Sequence, residues 1–173
     1  NAVKMVNDHK DKVTAWYDII LDSPWDTEED TIQTLMFLAK LPTPFRLTLF
    51  SLLFYPGTDL YRKAKDDGIV KNDVDDIYRR HYNGIKPTYL NSLFVLLNQY
   101  VSIDIGISPK IISFLVNKKM RKLKLSWALY KTLKISLPFF KMMRGLQTAF
   151  KDLLKGNWIK VWNQIKKWSL RKK

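Results

Sequence analysis

The sequence contains no cysteine, so the chain can neither close a disulfide nor hold a metal or an iron-sulfur cluster through thiolates. Histidine is nearly as scarce, His9 and His81 being the only two, which leaves imidazole metal chemistry poorly supplied. Long apolar runs are missing as well. The strongest, Leu47 to Tyr55 and Leu93 to Leu97, fall far short of the ~20 residues that cross a bilayer, and no transmembrane helix is predicted. No nucleophile triad, Walker loop, zinc-ligand spacing or dinucleotide glycine fingerprint is present. The chain opens Asn1-Ala2-Val3-Lys4 rather than with methionine, and no basic-then-apolar signal segment follows. Both features predict a fragment of a longer protein.

What is present is enough apolar material for a core. At 173 residues and 46% hydrophobic content, the chain can bury one core, or one core with an appended segment. The net charge of +14 is unevenly spread: up to Pro109 there are 12 Lys and Arg against 15 Asp and Glu, and from Lys110 onward 18 against the single Asp152. The region of Ser108-Pro109 therefore separates two different materials.

Along the acidic part, residues 1–12 are polar and read as the tail of a helix. Val13 to Leu21, rich in β-branched and aromatic residues, predicts a buried strand bounded by Asp22-Ser23-Pro24. Thr27 followed by Asp30 is a capping-box pair, so a helix is expected to start there, with Ile32, Leu35, Met36 and Ala39 on its apolar face. Leu41-Pro42-Thr43-Pro44 stops it, and Arg46 to Phe54 predicts a second strand. Strand, helix and strand in this order make a crossover with parallel strands. The loops after the strands, at Asp22 and Tyr55, then open on one face, where ligands of such folds sit. Thr58 or Asp59 caps the next helix, and Gly68 ends it. Asp75 to Tyr82, Tyr89 to Val101, Lys110 to Leu137 and Gly145 to Leu170 read as further helices, the last two separated by a break around Pro138.

The stretches YDIILDSPWDTEED and FRLTLFSLLFYPGTDLYRKAKDDGIV, in a match that covers roughly Thr14 to Val70, resemble the C-terminal part of the radical S-adenosylmethionine (SAM) barrel. The branch most resembled carries an N-terminal cobalamin-binding domain. The resemblance implies a four-iron, four-sulfur cluster held by a CxxxCxxC loop after the first barrel strand. With no cysteine here, that loop is expected on a preceding part of the protein, and this chain alone is expected to be inactive. The resemblance also implies that Ile20 packs near the SAM adenine with Asp22 in the turn after it. Main-chain groups at Leu53, Phe54 and Tyr55 are implied to approach the same base. Relatives often carry glycine at the place of Asp22 and glutamate at that of Asp26. For the whole protein the resemblance implies reductive cleavage of SAM to a 5'-deoxyadenosyl radical that abstracts hydrogen, with methyl transfer one outcome if the cobalamin domain is present. On the residues alone, Ile20 and Leu53 also fit ordinary strand core, and Pro56-Gly57 an ordinary turn.

The acids from Asp26 to Asp30 fit a first helical turn, where negative charge complements the helix dipole, better than a general acid-base pair. His81, beside Arg79, Arg80 and Tyr82, reads as a surface residue. The basic tail carries the stronger signal. Leu146, Phe150, Leu153, Leu154, Trp158, Val161, Trp162, Ile165 and Trp168 recur at three- and four-residue steps, with Lys151, Lys155, Lys160, Lys166 and Lys167 mostly outside that stripe. Such a helix suits an anionic membrane interface, with tryptophan at headgroup depth. Two other readings stay open: packing of the stripe on the barrel, and nucleic-acid binding through phosphate neutralisation and base stacking.

The expected fold class is therefore α/β: C-terminal strands and helices of a partial (β/α) barrel over residues 1–70, a helical extension over 71–109, and a mostly helical basic tail over 110–173. The expected cofactors of the full-length protein are an iron-sulfur cluster, SAM and, in the branch resembled, cobalamin. The missing N-terminal part of the same protein and an anionic membrane are the expected partners, at a cytoplasmic location on the inner face of the membrane. The tail suggests a lipid-like, isoprenoid or tetrapyrrole substrate. The alternative is a non-catalytic basic module that docks on anionic membrane or nucleic acid.

Overall fold

Aromatic and branched residues draw Ala15–Leu21 into a strand, β1, and Phe45–Ser51 into a second, β2. In the computed structural model, which describes residues 2–81 and 84–157, the strands pair in parallel, from Ala15 beside Phe45 to Leu21 beside Ser51. They form the only sheet among the described residues. The rest is mostly helical, beginning with α1, Ala2–Asp8.

Parallel neighbours need a crossover, and α2, Glu28–Ala39, supplies it. Thr27 caps it as the sequence predicts. Its hydroxyl accepts from the Asp30 N–H at 3.2 Å, and the Asp30 carboxylate accepts from the Thr27 N–H at 2.9 Å. Leu35 and Leu38 become the buried residues of this helix; Leu38 completes the face that begins at Ile32 and Leu35.

Strand pairing ends at Ser51, with Leu52 N–H donating to the Leu21 carbonyl at 2.9 Å, so the second strand is shorter than the sequence suggests. The chain leaves the sheet because Phe54 turns into a separate cluster with Ala64, Val70 and Ile77, against which Trp25 also packs. The Trp25 and Phe54 rings meet edge to face at 5.7 Å. Helix α3, Asp59–Asp66, is capped by Thr58 and followed by Gly68, whose φ of 69° is the left-handed conformation that a helix end favours.

The helix expected over 75–82 is instead a single π-helical turn, Val74–Tyr78. The Arg79 N–H bonds to the Val74 carbonyl, five residues back. Side chains take the donors that would begin an α-helix: Asp76 accepts from the N–H groups of Lys71 and Asn72 at 2.8 and 2.9 Å, and the Asn72 side chain accepts from the Val74 N–H at 2.9 Å.

Helix α4, Tyr89–Val101, builds the main core. Its Leu93, Phe94, Leu96, Leu97, Tyr100 and Val101 are buried, as are Leu35 and Leu38 of α2, Phe45 and Leu47 of β2, and Ile112, Leu115 and Val116 of α5, Pro109–Val116. The side chain of Asn98 is hydrogen-bonded to the main chain of Leu47 through both its oxygen and its nitrogen. A side chain thereby satisfies the flank of β2 away from β1.

The single helix expected over 110–137 is three. Asn117 ends α5 and caps α6, Lys118–Lys122, by accepting from the N–H groups of Lys119 and Met120 at 2.9 and 3.2 Å. Lys124, at φ 58°, interrupts the chain again before α7, Leu125–Leu154. The break expected at Pro138 is absent, since α7 runs through it. Proline has a helical φ, and its missing hydrogen bond and the crowding of its ring against the carbonyl one turn back cost about 3 kcal/mol, which a thirty-residue helix absorbs.

The chain divides into two units, residues 1–130 and residues 131–173, so α5 and α6 belong with the first despite their basic character. In the second, the described residues continue α7 to Leu154 and close it at Gly156, φ 72°, where the Asn157 N–H donates to the Asp152 carbonyl at 2.9 Å.

Candidate functional site at the carboxyl end of the first strand

The chain turns sharply where β1 ends. Asp22 sits in the left-handed region at φ 64°, a conformation that aspartate tolerates better than bulkier residues. Both oxygens of its carboxylate are engaged: one accepts from the Lys86 N–H at 2.9 Å and the other from the Asn91 side-chain nitrogen at 2.8 Å. The same nitrogen donates to the Lys86 carbonyl at 2.9 Å, and the Asn91 N–H donates to the Thr88 hydroxyl at 3.1 Å. Asn91 is buried. The turn after β1 and the start of α4 are thus knotted together by polar groups that satisfy one another.

Beside this knot lies a cleft of 390 Å³. Ile20, Leu21, Asp22, Ser23 and Asp26 come from β1 and its loop, and Glu28, Thr31 and Thr34 from the first turns of α2. Lys86 and Thr88 to Asn91, with Phe94 deeper in α4, supply a second side, and Arg121 a third. The Arg121 guanidinium pairs with the Glu28 carboxylate and lies 5.9 Å from the centre of the Tyr89 ring. It therefore ties α6 to the start of α2. The Tyr89 hydroxyl donates to the Leu115 carbonyl at 3.1 Å, and its ring meets Trp127 at 4.4 Å. Burial raises the Tyr89 hydroxyl above the usual tyrosine pKa, with the Arg121 charge acting in the opposite direction. Tyr89 is accordingly a neutral wall of the cleft.

The cleft offers an apolar side chain, hydroxyls and one clamped ion pair, which suits holding a small polar-and-apolar ligand more than proton transfer. Of the residues that the sequence singles out, Ile20 and Asp22 come together here. Leu53, Phe54 and Tyr55 do not line the cleft: Leu53 is half-buried, Phe54 is in the second cluster, and Tyr55 is exposed. His81 is exposed. Trp158, Trp162, Trp168, Lys160, Lys166 and Lys167 lie outside the described residues. Sequence reasoning missed Asn91 and Arg121. The signal for the first was there, a buried amide inside the apolar run Leu90 to Leu97; nothing separated Arg121 from the other cations around it.

Among the described residues, no group of three or more His, Asp or Glu side chains is placed to hold a metal ion. Nor is any helix among them long and apolar enough to cross a membrane. No protein-family model, curated protein or solved structure matches the chain.

Proposed function

We propose that this chain is the C-terminal part of a radical SAM barrel whose basic tail docks on an anionic membrane, acting on a hydrophobic or membrane-associated substrate. One observation carries the barrel reading. Parallel sheets occur with both faces covered, yet Trp16 and Ile20, on one face of β1, are 63% and 61% exposed. β1 also has β2 as its single strand neighbour among the described residues. A two-stranded parallel sheet that leaves Trp16 and Ile20 open on either side of Asp18 is the material of a larger sheet. The α2 crossover and a cleft at the carboxyl end of β1 agree with the ligand position of (β/α) folds.

The groups implied by this reading differ in how they suit the residues present. An iron-sulfur cluster does not fit this chain, which has no cysteine; in the proposal it belongs to the part that carries the first strands, and no step is assigned to it here. Cobalamin, if its domain precedes the barrel, likewise has no residue assigned in this chain. The nucleoside of SAM does fit: Ile20 gives the cleft an exposed apolar wall, and Ser23, Thr31 and Thr34 line it with hydroxyls. Given one electron from a donor held elsewhere in the protein, SAM would part into methionine and the 5'-deoxyadenosyl radical that takes hydrogen from an unactivated carbon. Here Ile20 would cover the base and shield it from water. Asp22, with both carboxylate oxygens engaged by Lys86 and Asn91, shapes the turn rather than gripping a sugar hydroxyl. Leu53, Phe54 and Tyr55 do not line the cleft, and no contact with the base is assigned to them.

The membrane part of the proposal places the protein on the cytoplasmic, inner face. It is supported by the 18 cations against one acid after Pro109 and by apolar side chains exposed along α7. In the second reading, a non-catalytic basic module, the exposed apolar side chains of α7 favour docking on anionic membrane over docking on nucleic acid.

Reading the coding sequence upstream of Asn1 tests the assignment. An in-frame CxxxCxxC loop is expected, followed by cluster incorporation on anaerobic reconstitution of the longer protein. A start codon immediately before Asn1 would remove the barrel reading. In the longer protein, Ile20→Asp should weaken SAM binding while leaving cluster content intact.

A further inference from the structure

We infer that the membrane-contacting surface begins inside α7, at Ile135, and that Ile135, Phe139, Met142, Leu146 and Phe150 lie in the interface of an anionic phospholipid bilayer. This rests on the membrane-docking reading and extends it upstream of the tryptophan-rich segment.

These residues follow one another at steps of four, three, four and four, which places them along one side of a helix. Ile135 is 77% exposed, Phe139 56% and Phe150 62%, and Met142 and Leu146 are exposed as well. Five large apolar side chains in a row over about 22 Å of helix are more than the scattered exposed residues of an ordinary surface. The cations stand off the stripe: Lys134, Lys141, Arg144 and Lys151 fall between its positions, and Asp152 is the single acid of the segment. A helix with an aromatic-aliphatic side and a lysine-rich side has the composition of one lying in the plane of a membrane interface.

Charge selects this occupant over two others. A second copy of the chain would bring two strongly cationic segments together, whereas acidic lipid gains from each cation near its surface. Nucleic acid calls for exposed aromatics among the cations; here the more exposed rings, Phe139 and Phe150, stand on the side without cations, and Phe140, at 36% exposure, is the one ring of the stretch near Arg144. Lysine stems on the flanks can reach headgroup phosphates while their methylenes cover apolar surface.

The test uses the full chain with vesicles of phosphatidylcholine alone or mixed with phosphatidylglycerol. The triple variant Phe139→Gln, Met142→Gln, Leu146→Gln keeps good helix formers at exposed positions, so circular dichroism should be unchanged. Its partition into the anionic vesicles should fall roughly a thousandfold, since each of the three buried side chains contributes a factor of about ten. Because the protein has no cysteine, single variants Ile135→Cys, Leu146→Cys and Lys141→Cys can each carry an environment-sensitive dye. A blue shift on anionic vesicles is expected at 135 and 146 and not at 141.

Unchanged partition of the triple variant, with loss only in Trp158→Gln, Trp162→Gln, Trp168→Gln, would overturn the inference and leave membrane docking standing. Failure of the unaltered chain to bind anionic vesicles would remove the docking reading and the inference with it. Binding to RNA in preference to vesicles, insensitive to the three glutamines, would overturn both in favour of nucleic acid.

Discussion

The Asn98 side chain acts on Leu47 as a neighbouring strand would: its oxygen accepts from the Leu47 N–H at 2.8 Å, and its nitrogen donates to the Leu47 carbonyl at 2.9 Å. Leu47 is buried, so these main-chain groups have little access to water. Asn98→Ala should therefore destabilise the protein by about 2–4 kcal/mol, the sum of two buried groups left without partners. Asn98→Asp keeps the acceptor and replaces the donor by a second acceptor, so it should also destabilise. Urea unfolding of the two variants measures both effects, and an Asn98→Ala midpoint equal to that of the parent would show that water replaces the amide.

Arg121 and Glu28 close one side of the cleft, with the arginine side chain mostly covered and the glutamate partly open. A double-mutant cycle with Arg121→Ala and Glu28→Ala should return a coupling of about 0.5–1 kcal/mol, the range of partly exposed pairs. Salt should reduce it. A coupling near zero would mean that Arg121 is held by its stacking on Tyr89 instead.

Tyr61, Lys65 and Asp73 form a small network in which the tyrosine hydroxyl donates to the Asp73 carboxylate at 2.8 Å and the ammonium pairs with it at 2.8 Å. The hydrogen bond from Lys65, then that from Tyr61, holds the Asp73 carboxyl below its ordinary pKa. The Asp73 carboxylate in turn raises both Lys65 and Tyr61. A lowered acid contributes stability above its unfolded pKa, about 4, and loses it as pH falls through the lower folded value. The raised groups contribute below their unfolded values, about 10, and lose it as pH rises through the folded ones. Asp73→Asn should thus lower stability at neutral pH and flatten its decline on both the acid and the alkaline flank. Thermal unfolding across pH reads this directly, and unchanged flanks would show that the network is too solvated to matter.

Pro138 lies inside α7, where it lacks the N–H that would close one turn. Pro138→Ala should strengthen local helix by about 2–3 kcal/mol, seen as slower amide hydrogen exchange on the residues around it. Exchange no slower than in the parent would indicate that the helix there is held by packing rather than by its own ladder.

Local signals carried far in this chain. Thr27 and Asp30 gave the start of α2 through their reciprocal hydrogen bonds, Thr58 and Gly68 bracketed α3, and α4 follows the apolar run from Tyr89 to Val101. The parallel pairing was legible because strand, helix and strand in that order allow little else. Less legible was what depends on partners distant in sequence. Phe54 leaves the sheet for Ala64, Val70 and Ile77, and no period in Arg46 to Phe54 announces it. Asn91 and Asn98 stand seven apart on α4, so their reach to Asp22 and Leu47 is a fact of the assembled fold. The break before α7 depends on one left-handed lysine, Lys124, a residue type that carries no such preference. In the cleft, Asp22 was visible as the loop after a strand and Ile20 only through the family resemblance; the wall made by Tyr89 and Arg121 was not visible.

The bond between Asp22 and Asn91 also bears on how fast and how tightly the cleft can be filled. Its floor is fixed by protein groups before any ligand arrives, so little ordering entropy has to be lost on binding. Association should then be limited by diffusion through the opening rather than by rearrangement. Differences in affinity among ligands of similar shape should appear in how long they stay.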